Sequence, residues 1–198
     1  MLDEKAQMHT LEGVAAATIM LLVIVYAIDA TSMTPLTSST ANVHAETELQ
    51  ALGQDILSAL DYSEPGYNSK LKNDVLNWTG DEYIWNGTQY LQLNYSNYSI
   101  INPDNSLNNN LTAILYATLV RQGIAHNVDL VFIDSNTSYP YTQKMIYNGN
   151  PSDNAVIVSR KIVLYSSDPI NPSSPITDLD PSTNLYNIVD VKLTLWRM

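Results

Sequence analysis

The residues of this chain best spaced for ligand chemistry lie near its C-terminal end. Asp178, Asp180 and Asn184, with a serine between the last two, have the spacing of oxygen ligands that begins a calcium-binding loop. However, Thr183 replaces the turn glycine, and Val189 stands where the bidentate glutamate belongs. A proline-bounded loop of Asx turns explains the same pattern without a metal ion. We favour the loop and keep calcium as the alternative.

The other polar residues contain no catalytic constellation. The histidines, His9, His44 and His126, share no metal-ligand spacing with one another. The sequence has no cysteine, no HExxH motif, no glycine-rich phosphate loop and no serine–histidine–aspartate context. We therefore predict no catalytic residue, no cofactor and no enzyme activity. A hydrolase with paired carboxylates has only the abundance of aspartate in its favour.

Asparagine side chains offer a second kind of chemistry, the attachment of N-linked glycans. Six N-x-S/T sequons occur, at Asn77, Asn86, Asn94, Asn97, Asn110 and Asn136. All six follow the apolar N-terminal segment, so they would face the same side of a membrane. We predict glycans on at least two of them. The alternative is an unmodified polar surface, because a chain rich in asparagine, serine and threonine produces sequons by chance.

The chain is acidic but sparsely charged. Nine Lys and Arg against twenty Asp and Glu give a formal net charge of −11. Phosphate recognition needs concentrated lysine and arginine, so we exclude nucleic acid as a partner. Only 15% of the residues are charged, compared with about 25% in typical soluble domains. Asparagine, serine, threonine and tyrosine supply the polarity, which favours a surface that binds water, glycan or neighbouring subunits.

Residues 13–28 form an uncharged apolar run, GVAAATIMLLVIVYAI, between Glu12 and Asp29. As a helix it would be about 24 Å long and apolar on every face, which favours lipid or complete burial. We predict a membrane span or an assembly helix of the pilin type. The alternatives are a buried core helix and a cleaved secretory signal, for which the basic n-region is missing. Glu12 either pairs with the N-terminal amine of a neighbouring subunit or is an ordinary interfacial charge.

The remaining sequence must supply the elements that position these residues, and its pattern predicts an α+β fold. Apolar residues recur at three- and four-residue spacing in three predicted helices, 41–61, 69–77 and 107–122. A hairpin or a bulge at residues 85–87 is predicted within 83–93, and strands at 127–133, 142–147, 155–165 and 185–196, with a surface loop at 166–184. We therefore predict an N-terminal transmembrane or pilin-like helix in residues 1–35. An extracellular head follows in residues 36–198, with early helices and a late antiparallel β-sheet.

Several blocks of sequence carry a resemblance to a known family. They are AQMHTLE at 6–12, MTPL at 33–36, PSDNAV at 151–156, VLY at 163–165 and the terminal segment 185–197. On these residues the chain resembles, over nearly its whole length, a family of archaeal membrane-anchored, pilin-like proteins of haloarchaea and methanogens. Lys5, Ala6 and Gln7 in front of Glu12 resemble the processing site of archaeal class III signal peptides, with cleavage after Ala6. The resemblance implies a surface or pilus-associated role and assigns no catalytic residue.

Together these features predict a structural, non-enzymatic cell-surface protein of type IV pilin style. The N-terminal apolar helix would anchor or assemble it. The predicted partners are membrane lipid, the same or related pilin-like subunits, and N-linked glycan. The predicted location is a cell membrane with the head outside, or a cell-surface filament. The alternative is a monomeric, membrane-anchored binding or adhesion module.

Overall fold

The computed structural model of the protein describes residues 12–25, 36–94 and 100–197. The chain divides into two units, Met1–His44 and Ala45–Met198. In the first unit, residues 12–25 form a helix, α1, which has no charged residue after Glu12. Alanine, leucine and methionine favour this helix, and the Thr18 hydroxyl donates to the Val14 carbonyl at 2.8 Å.

The length of α1 corrects one prediction. At 1.5 Å per residue, residues 12–25 extend over about 21 Å, well short of the hydrocarbon core of a bilayer, which is about 30 Å thick. Across the ranges that the structure describes, no helix is both long enough and apolar enough to cross a membrane. The predicted transmembrane anchor is therefore wrong. The predicted location in a cell membrane or a cell-surface filament depended on that anchor and is overturned with it.

Three more helices follow along the chain: α2 spans Leu36–Asp61, α3 spans Lys70–Leu76 and α4 spans Asn110–Thr118, with a 3-10 turn at Val120–Gln122. Ser69 caps α3 by accepting a backbone hydrogen bond from its first turn at 3.1 Å. Asn109 and Thr112 form a reciprocal capping box at the start of α4. All three predicted helices are confirmed. The third is shorter than predicted, because the capping box fixes its start at Asn110.

The second unit contains a seven-stranded sheet in the order β3-β2-β1-β5-β4-β7-β6. The strands are β1 Tyr83–Trp85, β2 Tyr90–Leu93, β3 Ile100–Leu107, β4 Ile124–Ile133, β5 Pro140–Ile146, β6 Val156–Tyr165 and β7 Leu185–Arg197. Neighbouring strands are antiparallel except β1 and β5, which are parallel. The α+β class, the early hairpin and the four late strands are confirmed. The sheet is not exclusively late or antiparallel, because β1, β2 and β3 belong to it.

Strand β3 was not predicted, and its composition explains why. The segment IINPDNSL contains a proline and two asparagines, which are depleted in strands. β3 pairs only with β2 and therefore lies at an edge of the sheet. An edge strand tolerates proline, because one row of its backbone groups does not take part in a ladder.

The core lies on one face of the sheet. Val189, Val191, Leu193 and Leu195 alternate along β7 and are all fully buried. The helix α2 contributes a buried stripe to the same apolar cluster, made of Leu49, Ile56, Leu57 and Leu60. The stripe repeats at helical spacing, and the strand residues repeat at every second position, so each element turns one apolar side inward.

The loop 166–184 has no helix or strand, as predicted, and a buried asparagine fixes part of it. The Asn187 side chain is completely buried on β7. Its amide nitrogen donates to the carbonyls of Ile133 at 2.9 Å and Thr177 at 2.8 Å. One side chain therefore ties the loop to the end of β4.

Replacing Gly53 of α2 with alanine is expected to destabilise the second unit. A Cβ atom there would lie 2.6 Å from a Val158 methyl group and 3.0 Å from Leu195 Cδ1. Overpacking costs about 1–3 kcal/mol, and the helix propensity of alanine recovers about 1 kcal/mol. We expect urea titration to show a free energy of unfolding lower by about 1 kcal/mol. The control Gly13→Ala, which meets nothing within 4 Å, should show no loss. Equal loss in both variants would contradict close helix–sheet packing at Gly53.

Candidate functional site

The residues predicted to act in processing and assembly lie at the N-terminal end. Lys5, Ala6 and Gln7 are outside the described residues, and Glu12 is the first described residue of α1. Eight large apolar side chains of this helix are 52–70% exposed: Val14, Ile19, Met20, Leu21, Leu22, Val23, Ile24 and Val25. Seven of them are consecutive, so they occupy every side of the helix.

The sequon asparagines do not converge on one site. Asn77, Asn86, Asn110 and Asn136 are exposed, Asn94 is half-buried and Asn97 lies outside the described residues. In three of the exposed ones, the amide nitrogen that a glycan would modify already donates to a carbonyl or an aspartate. At Asn86 the amide oxygen is engaged instead, by the backbone N–H of Thr88 at 2.9 Å and its hydroxyl at 3.0 Å. Glycosylation stays a prediction. Among the exposed sequon asparagines, Asn86 has the amide nitrogen most available for attachment of a glycan.

The carboxylates considered for calcium are used in local turns. Asp178 Oδ1 accepts the backbone N–H of Asp180 at 3.1 Å. Asp180 Oδ1 accepts the hydroxyl of Ser182 at 2.6 Å and its N–H at 3.0 Å, and these bonds lower the pKa of Asp180. Asn184 is exposed at the end of the loop. In the part of the chain that the structure describes, no three His, Asp or Glu side chains are placed to hold a metal ion. The segment is a loop of Asx turns.

A histidine and a tyrosine form a buried polar pair in the second unit. His126 Nε2 lies 2.8 Å from the Tyr90 hydroxyl, and both residues are 2% exposed. Burial lowers the pKa of His126 to about 4 and raises the pKa of the Tyr90 hydroxyl above its ordinary value. The imidazole is therefore neutral at pH 7 and closed off from solvent. This pair serves the core, since a general base must reach its substrate.

A large cleft opens where the two halves of the sheet meet. The parallel contact between β1 and β5 contains a single register pair, Tyr83 with Ile146. A hydrogen bond from the Tyr147 N–H to the Tyr83 carbonyl, 2.8 Å long, follows it. On the N-terminal side of this pair the strands separate, and a cavity of about 670 Å³ lies between them. Its described walls include residues 80–82, the end of β2, and residues 141–144 of β5.

The cleft contains a buried carboxylate, that of Glu82. Its side chain is 6% exposed, and neither carboxylate oxygen has a hydrogen-bond partner within the described structure. Burial raises the pKa of Glu82; the Lys144 ammonium opposes the shift, and the Asp129 carboxylate adds to it. The backbone holds the residue in place, because the Glu82 carbonyl accepts the Leu93 N–H at 2.8 Å. A fixed, buried and unpartnered carboxylate in a cleft is the strongest candidate for a binding group in the described chain.

The other charged groups of the cleft have charged or aromatic neighbours. Asp129 of β4 stands opposite Lys144 of β5 and Lys192 of β7, so all three side chains share one face of the sheet. Burial raises the pKa of Asp129, and the two ammonium groups oppose that shift. The Lys144 Nζ also lies over the ring of Tyr147, 3.6 Å from its centroid. Glu82 is the carboxylate of this group whose two oxygens are both buried without a hydrogen-bond partner in the described structure.

Sequence reasoning did not single out Glu82, Asp129 or Lys144. Glu82 lies immediately before the predicted hairpin over 83–93, and no local motif connects it to the late strands. The hypothesis of paired carboxylates was the nearest signal, and it named no residues. Only the pairing of β1 with β5 brings these side chains to one cleft.

The chain matches a family model described as a family of unknown function, DUF7288, over residues 5–195. It belongs to this family. An uncharacterized protein of Archaeoglobus fulgidus is 29% identical over 197 residues, which cover 99% of this chain and 94% of the relative. No solved structure matches the chain. The relative is archaeal, in agreement with the resemblance to archaeal proteins. The region that matches DUF7288 contains α1 and every described residue of the cleft.

Replacing Glu82 with glutamine is expected to stabilise the protein at pH 7. The raised pKa means that the folded state favours the protonated acid. The contribution of Glu82 to the free energy of unfolding is therefore present below the ordinary pKa and is lost as the pH rises. Glutamine removes the buried charge, and we expect a gain of about 1 kcal/mol in the free energy of unfolding. The gain should shrink as the pH falls towards about 4.5, the ordinary pKa, and vanish below it. Glu64→Gln, at an exposed position, is the matched control. A Glu82→Gln variant less stable than wild type would contradict the assignment.

His126 should make the fold sensitive to mild acid. Its pKa of about 4 lies below the ordinary 6.5, so the folded state favours the neutral ring. The contribution of the neutral ring to the free energy of unfolding is complete above pH 6.5 and is lost as the pH falls towards 4. The total loss is roughly 3 kcal/mol. His126→Gln should lower stability at pH 7 and flatten the stability profile between these two pH values. His44→Gln, at an exposed histidine, should keep the wild-type profile. Parallel profiles for wild type and His126→Gln would refute this role.

Proposed function

We propose that the protein is a non-enzymatic structural subunit that assembles with copies of itself through α1, in the style of type IV pilins. The observation that carries the proposal is the exposure of α1. Its eight large apolar side chains are at least half exposed in the single chain. Water is a poor solvent for such a surface, so a second apolar surface is expected to cover it.

The area of α1 is sufficient for a stable contact. Each of the eight side chains leaves on the order of 100 Å² of apolar surface in water, or roughly 800 Å² in all. Specific interfaces bury about 800 Å² on each partner. The apolar surface of α1 is therefore comparable with one side of a standard interface, and because it lies on every side of the helix, more than one neighbour is needed to cover it.

A second copy of α1 is the partner that fits best. From Gly13 to Val25 the helix has no charge, so its partner needs no complementary charge, only an apolar surface of similar length. Another copy of the same helix provides this surface. The small residues Gly13, Ala15, Ala16 and Ala17 allow two helix backbones to approach closely. Because apolar residues occupy every side, one helix can contact more than one neighbour, which is the arrangement a multi-subunit assembly needs.

The residues of the second unit support a role without catalysis. The buried histidine is bonded to Tyr90 and is closed off from solvent. The aspartates of the C-terminal loop accept hydrogen bonds in their own turns. The position of Glu12 at the start of the apolar helix, with Lys5, Ala6 and Gln7 before it, is the sequence feature that favours the pilin style.

Assembly is tested with two matched substitutions. Ile19 on α1 is 62% exposed, and Ile157 on β6 is 64% exposed. We expect the full chain to form oligomers in sedimentation velocity and light scattering, and Ile19→Glu to shift it to monomer, because a charge within a packed apolar contact is costly. Ile157→Glu should leave the oligomer intact. Thermal unfolding should be the same for both variants, which separates assembly from folding.

A monomeric wild-type chain over the micromolar range would refute self-assembly. An oligomer that survives Ile19→Glu, or that Ile157→Glu dissociates equally well, would place the contact elsewhere than on α1.

A further inference from the structure

Neither oxygen of the Glu82 carboxylate has a hydrogen-bond donor in the described part of the chain. A buried acceptor without a donor costs stability, and a buried charge costs more. The neighbouring acid Asp81 has its own partner, because the Thr79 hydroxyl donates to Asp81 Oδ2 at 2.6 Å. Lys144, the cation of the cleft, lies over the Tyr147 ring. A donor from outside the described residues can satisfy both oxygens of Glu82.

We propose that the cleft between β1 and β5 binds an organic ammonium ion, the terminal amine of an alkylamine, with Glu82 as its principal partner. An ammonium group has three N–H donors and a positive charge, so it satisfies the buried oxygens and neutralises the carboxylate together. This inference does not depend on assembly through α1, which belongs to the other unit of the chain.

The charge balance of the cleft favours a cation as its ligand. Asp81, Glu82 and Asp129 contribute three carboxylates to the walls, and Lys144 contributes one ammonium. An anionic ligand would meet this acidic excess, and a neutral hydroxyl would leave the Glu82 charge uncompensated. A positively charged ligand is the one that this acidic excess accommodates at lowest cost.

A metal ion fits this cleft less well than an amine. In the described part of the chain, no three His, Asp or Glu side chains are placed to hold a metal. Calcium takes six to eight oxygen ligands, whereas Asp81 is bonded to Thr79 and Asp129 stands between two lysines. The Lys144 ammonium also lies in the wall and would repel a divalent cation.

The rest of the cleft fits the carbon chain of such a ligand. A cavity of about 670 Å³ lies within the range of small-molecule sites, about 300–1,000 Å³. Leu93 and the ring of Tyr141 provide apolar surface in its walls, and Tyr141 packs against Phe132 with 5.6 Å between ring centroids. The Gln143 amide donates to the Gly80 carbonyl, which joins the two rims of the cleft.

Isothermal titration calorimetry with the full chain tests the proposal. The probes are cadaverine and Nα-acetyl-lysine methylamide, which represent a free diamine and a protein lysine side chain. We expect saturable binding of at least one probe, and loss of about tenfold or more in affinity for Glu82→Gln. Glu64→Gln makes the same chemical change at an exposed position and should bind like wild type. Amide resonances of residues 80–82 and 142–144 should shift during the titration.

Two controls and a comparison of the two probes define the outcome. Diacetylated cadaverine has no ammonium group and should not bind. Thr142→Lys adds a second resident ammonium to the cleft, and it should abolish binding if the ligand is a cation. Whichever of the two probes binds more tightly identifies the source of the amine. Absence of saturable binding, equal binding by Glu82→Gln, or tighter binding of calcium chloride than of either amine would overturn the proposal.

Discussion

The fold of the second unit depends on strand β7 and on its strict alternation of side chains. β7 pairs with β4 on one side and with β6 on the other, along most of its length. Val189, Val191, Leu193 and Leu195 point to the core, so a shift of one residue in either ladder would turn all four to the opposite face. This cost fixes the register of three strands at once. Asn187, on the same strand, then fixes the long loop to the end of β4.

The cleft follows from how the early strands join this late framework. β4, β5, β6 and β7 pair in long antiparallel ladders, whereas β1 contacts β5 through one parallel pair. Such a short contact cannot hold the strands together beyond Tyr83, so they separate on its N-terminal side. Glu82 immediately precedes this point, and its backbone carbonyl is bonded to Leu93 of β2. The junction therefore both opens a cavity and fixes a carboxylate in its wall.

Sequence reasoning succeeded where a signal is local and periodic. The alternation of β7, the stripe of α2 and the Asx-turn chemistry of the C-terminal loop are all visible within a few residues. It failed at β3, where packing at an edge overrides the low strand propensity of proline and asparagine. The membrane anchor predicted from the apolar run is contradicted, because no helix across the described ranges is both long enough and apolar enough to cross a membrane. The cleft could not be predicted at all, since Glu82 meets Asp129 and Lys144 only through the pairing of distant strands.

Apolar side chains are usually buried and ionisable side chains are usually exposed. Two features of the molecule depart from this rule in opposite directions. In α1, apolar side chains are exposed to water; at Glu82, an ionisable group is withdrawn from it. The first is relieved only by an apolar surface, and the second only by a donor or a positive charge. One partner of uniform chemistry cannot satisfy both. The two features also lie in different units of the chain. Assembly and ligand binding are therefore separable properties, each with its own variants, and loss of one leaves the physical basis of the other intact.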